Sequence, residues 1–160
     1  MNSTWVNGQK VEPTDRQKEV LGFLDKFIQH GVSHDKAHGV DVLYDQFMNG
    51  YCLHFALMLQ GLFQRGKVCL AAPFGHMVWM DDDGTCYDYG GFYDGEAYYF
   101  IPIDMIPKSM LTDFRHVPSE VPTAYISKTR CIWLMKRYCD LAGIDYDAEA
   151  ERYLKPSAVR

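Results

Sequence analysis

No apolar run in this sequence approaches the roughly 20 residues that a membrane-crossing helix requires. The best stretch, residues 68–80, is broken by Pro73, Gly75 and His76, so the expectation is a soluble protein with no membrane partner. Near the start, no basic segment leads into an apolar one of roughly 7 to 15 residues, as a secretory signal would need, and the chain is read as cytoplasmic. Cysteine is sparse and poorly spaced for crosslinking or zinc. Its five positions, at intervals of 17, 17, 45 and 8, form neither an even framework nor a C-x-x-C set, so free thiols are expected. Positive charge is also short, with 16 Lys and Arg against 21 Asp and Glu and a net charge of −5. Nucleic-acid binding draws on phosphate neutralisation, and an acidic chain without a basic run is a poor partner for it. Internal repeats, low-complexity tracts and long linkers are absent as well.

What is there suffices for one core. With 48% hydrophobic and 14% aromatic residues, 160 residues exclude a disordered, collagen-like or coiled-coil chain and suit a single domain, 1–160. The acids are unevenly spread. Residues 68–107 hold no Lys or Arg, while Asp81, Asp82, Asp83, Asp88, Asp94, Glu96 and Asp104 bring −7. The plain reading is a solvated turn at 81–83; the functional one is repulsion of anionic substrates from this region.

Periodicity orders the elements. Thr14 with Gln17 three residues on reads as a capping box, and Val20, Phe23, Leu24, Phe27 and Ile28 recur at helical spacing until Gly31. A second helix is expected over 33–48, interrupted at Gly39, and a third, the most apolar, over 51–65, with Gly66 as its stop. Strands follow at 68–71, 76–80, 85–89 and 98–101, joined by a turn at 73–75 and an Asp-rich turn at 81–84, and Gly90-Gly91 ends the third strand. A long helix over 123–142 buries Cys131, Leu134, Met135, Tyr138, Cys139 and Ala142 and closes at Gly143; a short one near 147–154 follows. Helices, then a strand meander, then helices give an α+β class with an antiparallel sheet. Residues 108–122 carry no readable pattern.

Cys52 opens the apolar helix, where the helix dipole and free backbone N–H groups favour thiolate, although a Cys in an apolar stretch is more often an inert core residue. His76 opens one strand and Asp88 lies in the next. If the loop between them holds residues 81–83, opposite positions sum to 164 and His76 faces Asp88; a four-residue loop moves the partner to Tyr89. The first register would give a nucleophile, a base and an orienting carboxylate. Gln46 and Asn49 are amides that could stabilise an oxyanion, with the Cys52 backbone N–H the better donor and a helix-end hydrogen bond the plain alternative for each amide. Met77 and Trp79 point away from His76 in a regular strand and read as core.

Gly50-Tyr51-Cys52-Leu53-His54-Phe55-Ala56, Gly75-His76-Met77-Val78-Trp79 and Tyr87-Asp88-Tyr89-Gly90-Gly91 together resemble the three catalytic blocks of the transglutaminase-like superfamily of papain-fold cysteine enzymes. The resemblance covers about a quarter of the chain, within a motif core of 46–101. It implies a papain/transglutaminase-like core with helices packed on a small antiparallel sheet. It also implies Cys52 as nucleophile, His76 as general base and Asp88 as orienting carboxylate. The C-G-S-C-W motif of the papain branch is absent, while Gln46 matches the glutamine six residues before its cysteine.

The expected activity is cysteine-dependent acyl transfer on a protein or peptide amide (peptidase, deamidase or transglutaminase type) with no cofactor. The alternative from another class is a non-catalytic interaction module that keeps the fold and binds a partner protein or small ligand in the cleft. His30, His34 and His38 stand at four-residue steps that could gather zinc, but Gly31 and Gly39 argue against one continuous helix and exposed or capping histidines are expected. His54 reads as a packing or substrate-edge residue. Cys69, Cys86, Cys131 and Cys139 read as core thiols, and Phe92, Tyr93, Tyr98, Tyr99 and Phe100 as sheet packing or a roof over the site. The oligomeric state is not legible.

Overall fold

The computed structural model describes residues 4–34, 47, 51–72, 75–95, 97, 99–106 and 127–154. The fold is mixed α+β. A two-stranded hairpin, β1 (Trp5–Val6) and β2 (Gln9–Lys10), precedes helix α1 (Asp15–His34) and helix α2 (Cys52–Phe63). Strands β3 (Lys67–Ala72), β4 (His76–Met80), β5 (Cys86–Asp88), β6 (Gly91–Phe92) and β7 (Tyr99–Pro102) form one antiparallel sheet in the order β6-β5-β4-β3-β7. A 3₁₀ turn (Ile103–Met105) and helices α3 (Lys128–Ala142) and α4 (Tyr146–Leu154) complete the described chain. None of the described helices is long and apolar enough to cross a membrane.

Local signals account for most of the ends. Thr14 Oγ1 accepts from Gln17 N–H at 3.2 Å and Gln17 Oε1 accepts from Thr14 N–H at 2.8 Å, the reciprocal box that starts α1. The expected stop at Gly31 is corrected: α1 runs on to His34, since an interior glycine costs a helix only about 1 kcal/mol. Ser33 and His34 therefore belong to α1, and the rest of the helix expected at 33–48 lies outside the described residues except Phe47. Helix α3 begins at Lys128, capped by Ser127 Oγ accepting from Arg130 N–H, and residues 123–126 of the helix expected there lie outside the described residues. Gly143, at φ 72, ends it as expected. The N-terminal hairpin has no counterpart in the periodicity reading, although Asn7 (φ 51) and Gly8 (φ 76) form the left-handed pair that such a turn requires.

Helix α2 is the hub, buried at every position but Gln60. Phe63 stacks on Trp79 of β4 at 5.1 Å and meets Tyr153 of α4 at 5.1 Å and Phe23 of α1 at 6.1 Å. Phe47 packs on Phe55 at 5.0 Å, on Tyr89 at 5.2 Å and on Tyr138 at 5.6 Å. Gly61 permits the closest approach, because a Cβ there would lie 2.1 Å from the Cys131 carbonyl oxygen of α3. The indole N–H of Trp79 donates to the Arg65 carbonyl at 3.0 Å and to Gln60 Oε1 at 3.2 Å.

The Asp-rich turn departs from expectation. Trp79 pairs with Tyr87 and Met80 with Cys86, so opposite positions sum to 166, and the Asp81 N–H bond to the Thr85 carbonyl continues that register. The loop is thus 82–84, three residues ending on Gly84 at φ 86, as a type I turn with a left-handed third residue demands. Asp81 is drawn out of the turn. It is not a solvated acid but 2% exposed, held by Arg16 (Nη2 to Oδ1 2.9 Å, Nε to Oδ2 3.1 Å) and Arg65 (Nε to Oδ1 2.8 Å, Nη2 to Oδ2 3.0 Å). Asp82 and Asp83 remain exposed.

Burial alone would raise the Asp81 carboxyl, but the two guanidinium groups and the Asp82 N–H hold it well below the usual carboxylate range. A depressed folded-state pKa contributes stability that is complete above the ordinary value of 3.8 and is lost only as pH falls through the lower one. Asp81→Asn should cost about 3 kcal/mol at pH 7, at the low end for a broken buried pair because Arg16 is partly exposed. In urea titrations that difference should persist at pH 4 and shrink only in stronger acid. Gly61→Ala should cost about 2 kcal/mol by forcing α2 from α3, read as a lower urea midpoint at unchanged slope.

Candidate active site

Two anchors decide where the site falls. Trp79 is tied to residues 60 and 65, at the end of α2, and β4 runs in the same direction as that helix, because the chain reverses once into β3 and again into the antiparallel β4. Three residues back along a strand is about 10 Å, so His76 arrives at the other end of α2, where Cys52 is the first helical residue. Gly75, at φ 73, turns the chain directly into β4 and makes His76 its first residue.

Asp88 reaches the imidazole diagonally. In the observed register His76 would oppose residue 90, so the directly facing pair expected from a sum of 164 is corrected. The shift is by two positions and not one, which keeps Asp88 on the same sheet face. Asp88 Oδ2 lies 3.1 Å from His76 Nε2, and Oδ1 accepts from Gly90 N–H at 2.8 Å, so both carboxylate oxygens are occupied and the group is 7% exposed. Nδ1 is then the nitrogen left for the thiol.

His76 is pulled two ways. Burial would lower its pKa, but hydrogen bonds to Asp88 and Cys52 and the charges on both raise it from 6.5 to about 9. A sulfur, an imidazole and a carboxylate thus stand in series, an arrangement able to move a proton from sulfur to nitrogen and to stabilise the resulting imidazolium. Cys52 is 5% exposed and heads a helix whose N-cap, Tyr51, makes no side-chain cap bond. The first helical bond runs from Phe55 N–H to the Tyr51 carbonyl, so the Cys52 N–H precedes the ladder at the positive end of the dipole. Gln46 and Asn49 lie outside the described residues.

The other candidates separate cleanly. Met77 and Trp79 are core, at 1% and 0% exposure. His54 is buried in α2 with its ring 5.4 Å from that of Tyr51. Burial pushes the thiols of Cys69 and Cys131 up to about 11 and those of Cys86 and Cys139 up to about 12. Cys86 is only half-buried, unlike the core thiol expected, because it faces the open side of the sheet beyond the helices. His30 lies in α1, while the His34 side chain and His38 fall outside the described residues. Among the described residues no three His, Cys, Asp or Glu side chains gather as a metal site.

Tyr93 was the least legible contributor. Its ring stacks on His76 at 5.6 Å and 23°, and Phe100 meets it edge-on at 6.1 Å. The Tyr93 N–H bond to the Cys86 carbonyl places it opposite Cys86, on the face that carries His76. The signal was Gly90-Gly91: the third strand ends before this pair, as expected, but the chain also reverses there into β6, which the meander reading lacked. Phe92 is core, Tyr99 is exposed and Tyr98 lies outside the described residues.

His76 should titrate near 9 by NMR, and Asp88→Asn should bring it down by more than one unit as burial takes over. A raised folded-state pKa contributes stability that is complete below 6.5 and lost as pH rises through about 9. The stability gap between wild type and Asp88→Asn should therefore narrow across that interval. No family model matches this chain, and no curated protein or solved structure does.

Proposed function

We propose that the protein is a cysteine-dependent acyl-transfer enzyme acting on an amide bond, with Cys52 as nucleophile, His76 as general base and then acid, and Asp88 as the orienting carboxylate. The observation that carries the reading is the His76 ring bonded through Nε2 to Asp88 and raised to about 9 by Asp88 and Cys52 together. Supporting it are the place of Cys52 at the first turn of α2 and the order of helix terminus, strand and returning strand, which also favours the papain/transglutaminase-like version of the α+β fold.

In the reaction the Cys52 sulfur attacks the amide carbon while its proton resides on His76. The carbonyl oxygen gains charge and accepts from the Cys52 N–H. The carbon–nitrogen bond then breaks, the amine leaves with the proton from His76, and a thioester remains. Water or a second amine, deprotonated by the same imidazole, attacks that thioester and returns the sulfur. A peptide or protein amide is the substrate class, and the chain's own residues supply every proton transfer.

Site-resolved alkylation of the five cysteines by iodoacetamide, followed by mass spectrometry from pH 5 to 9, tests the reading without a substrate. Cys52 alone should label below pH 7, since burial raises the other four to about 11 or 12. His76→Ala should slow that labelling about tenfold or more. A Cys52 that titrates like an ordinary thiol near pH 8.5, or that is indifferent to His76→Ala, would overturn the reading in favour of a binding module.

A further inference from the structure

A cleft lies beside the site and not in it. Its volume is about 640 Å³, within the usual range for a small-molecule pocket. Val6, Asn7 and Val11 of the N-terminal hairpin region form one wall, and Cys86, Tyr93 and Phe100 on the outer sheet face form the other. The hairpin is held over the sheet by Asn7 N–H donating to the Asp94 carboxylate. Gln17 and Thr85 close one end, joined by a 2.9 Å bond from Gln17 Nε2 to Thr85 Oγ1.

Three features define what the cleft accepts. Among the described residues no charged side chain lines it, so none of these would compensate a buried ion. The charges beside its rim offset one another, Asp83 and Asp94 next to Gly84 and Gly95 against Lys10 and Arg16 next to Val11 and Gln17, so the rim offers an ion no field of one sign. The surfaces of Tyr93 and Phe100, set edge to face, offer an aromatic group a third ring.

Tyr93 is the shared wall. One of its faces lies on His76 and its edge borders the cleft, so a group bound there sits one ring away from the imidazole that serves Cys52. The span from sulfur across both rings is on the order of 10 Å, or about three residues of extended chain.

We propose that this cleft is a substrate subsite for an uncharged aromatic side chain, placed about two to three residues from the amide that Cys52 attacks. The proposal rests on the enzymatic reading above and gives it a substrate class. Gly95 belongs to the device: a Cβ there would fall 2.3 Å from the Tyr93 hydroxyl, so the absence of a side chain lets the phenol rest where it does.

Three iodoacetamides test it on the intact protein: the parent compound, one whose amide nitrogen carries a phenylalanine amide through a two-residue glycine spacer, and one carrying glutamate in place of phenylalanine. In each case the sulfur displaces iodide, forming a carbon–sulfur bond as the carbon–iodine bond breaks. The aromatic reagent should label Cys52 roughly tenfold to a hundredfold faster than the parent and with saturation, the range expected for burying one aromatic ring. The glutamate reagent should show no gain. The ratio of aromatic to parent rate, taken within each variant, should collapse in Phe100→Ala and in Ala97→Phe, which fills the cleft from its rim. Two variants with opposite steric effects guard against a folding defect in either.

A parent reagent that labels Cys52 in a His76-dependent way, together with an aromatic reagent that gains nothing, overturns the subsite while leaving the enzyme. Equal gains for phenylalanine and glutamate would also overturn it. Loss of the His76 dependence itself overturns the enzymatic reading.

Discussion

A carboxylate without access to water organises this molecule. Asp81 carries a charge that cannot be buried alone, and the two guanidinium groups that neutralise it come from the start of α1 and the residues just past α2. One acid therefore joins the first helix, the central helix and the β4–β5 hairpin at a single point. With Asp81 held out of the turn, the loop has to begin at 82, and every pairing up to Asp88 follows. Trp79, bonded to Gln60 and Arg65 beside this junction, fixes β4 along α2. The geometry at His76 is thus set from the far end of its own strand.

Much of the fold could be read locally, and what could not has a common cause. The capping box at Thr14, the αL stop at Gly143, strand 76–80 and the apolar face of α3 depend on neighbours a few residues away. The hairpin register depends on Gly84, within the turn, and on Asp81 being held by Arg65, 16 positions away, and Arg16, 65 positions away, which no local pattern shows. Strands β1, β2 and β6 hold two residues each, too few for alternation to show. At the candidate site, Cys52, His76 and Asp88 could be singled out because local pattern places them at a helix start and on two neighbouring strands. The role of Tyr93 was not, because its contact with His76 depends on how the chain reverses at Gly90.

The acidic stretch also gains meaning from its surroundings. Its described members occupy three environments: Asp81 is neutralised in the interior, Asp88 is committed to an imidazole and a backbone N–H, and Asp82, Asp83, Asp94 and Asp104 face solvent. The formal charge of the segment therefore overstates the field near the imidazole, where Asp88 is the carboxylate in direct contact. The thiols divide in a similar way. Four are made poor nucleophiles by burial, while Cys52 owes its setting to a helix end and an imidazole.

The order of the sheet carries one more consequence. His76 begins the middle strand, with β3 on one side and β5 on the other, whereas Asp88 ends a three-residue strand whose outer neighbour, β6, is the two-residue edge. Local opening begins where the fewest bonds must break. The edge can therefore peel away and take the carboxylate with it while the imidazole still faces the sulfur. The contact between carboxylate and imidazole lasts only as long as the weaker of its two strands stays paired.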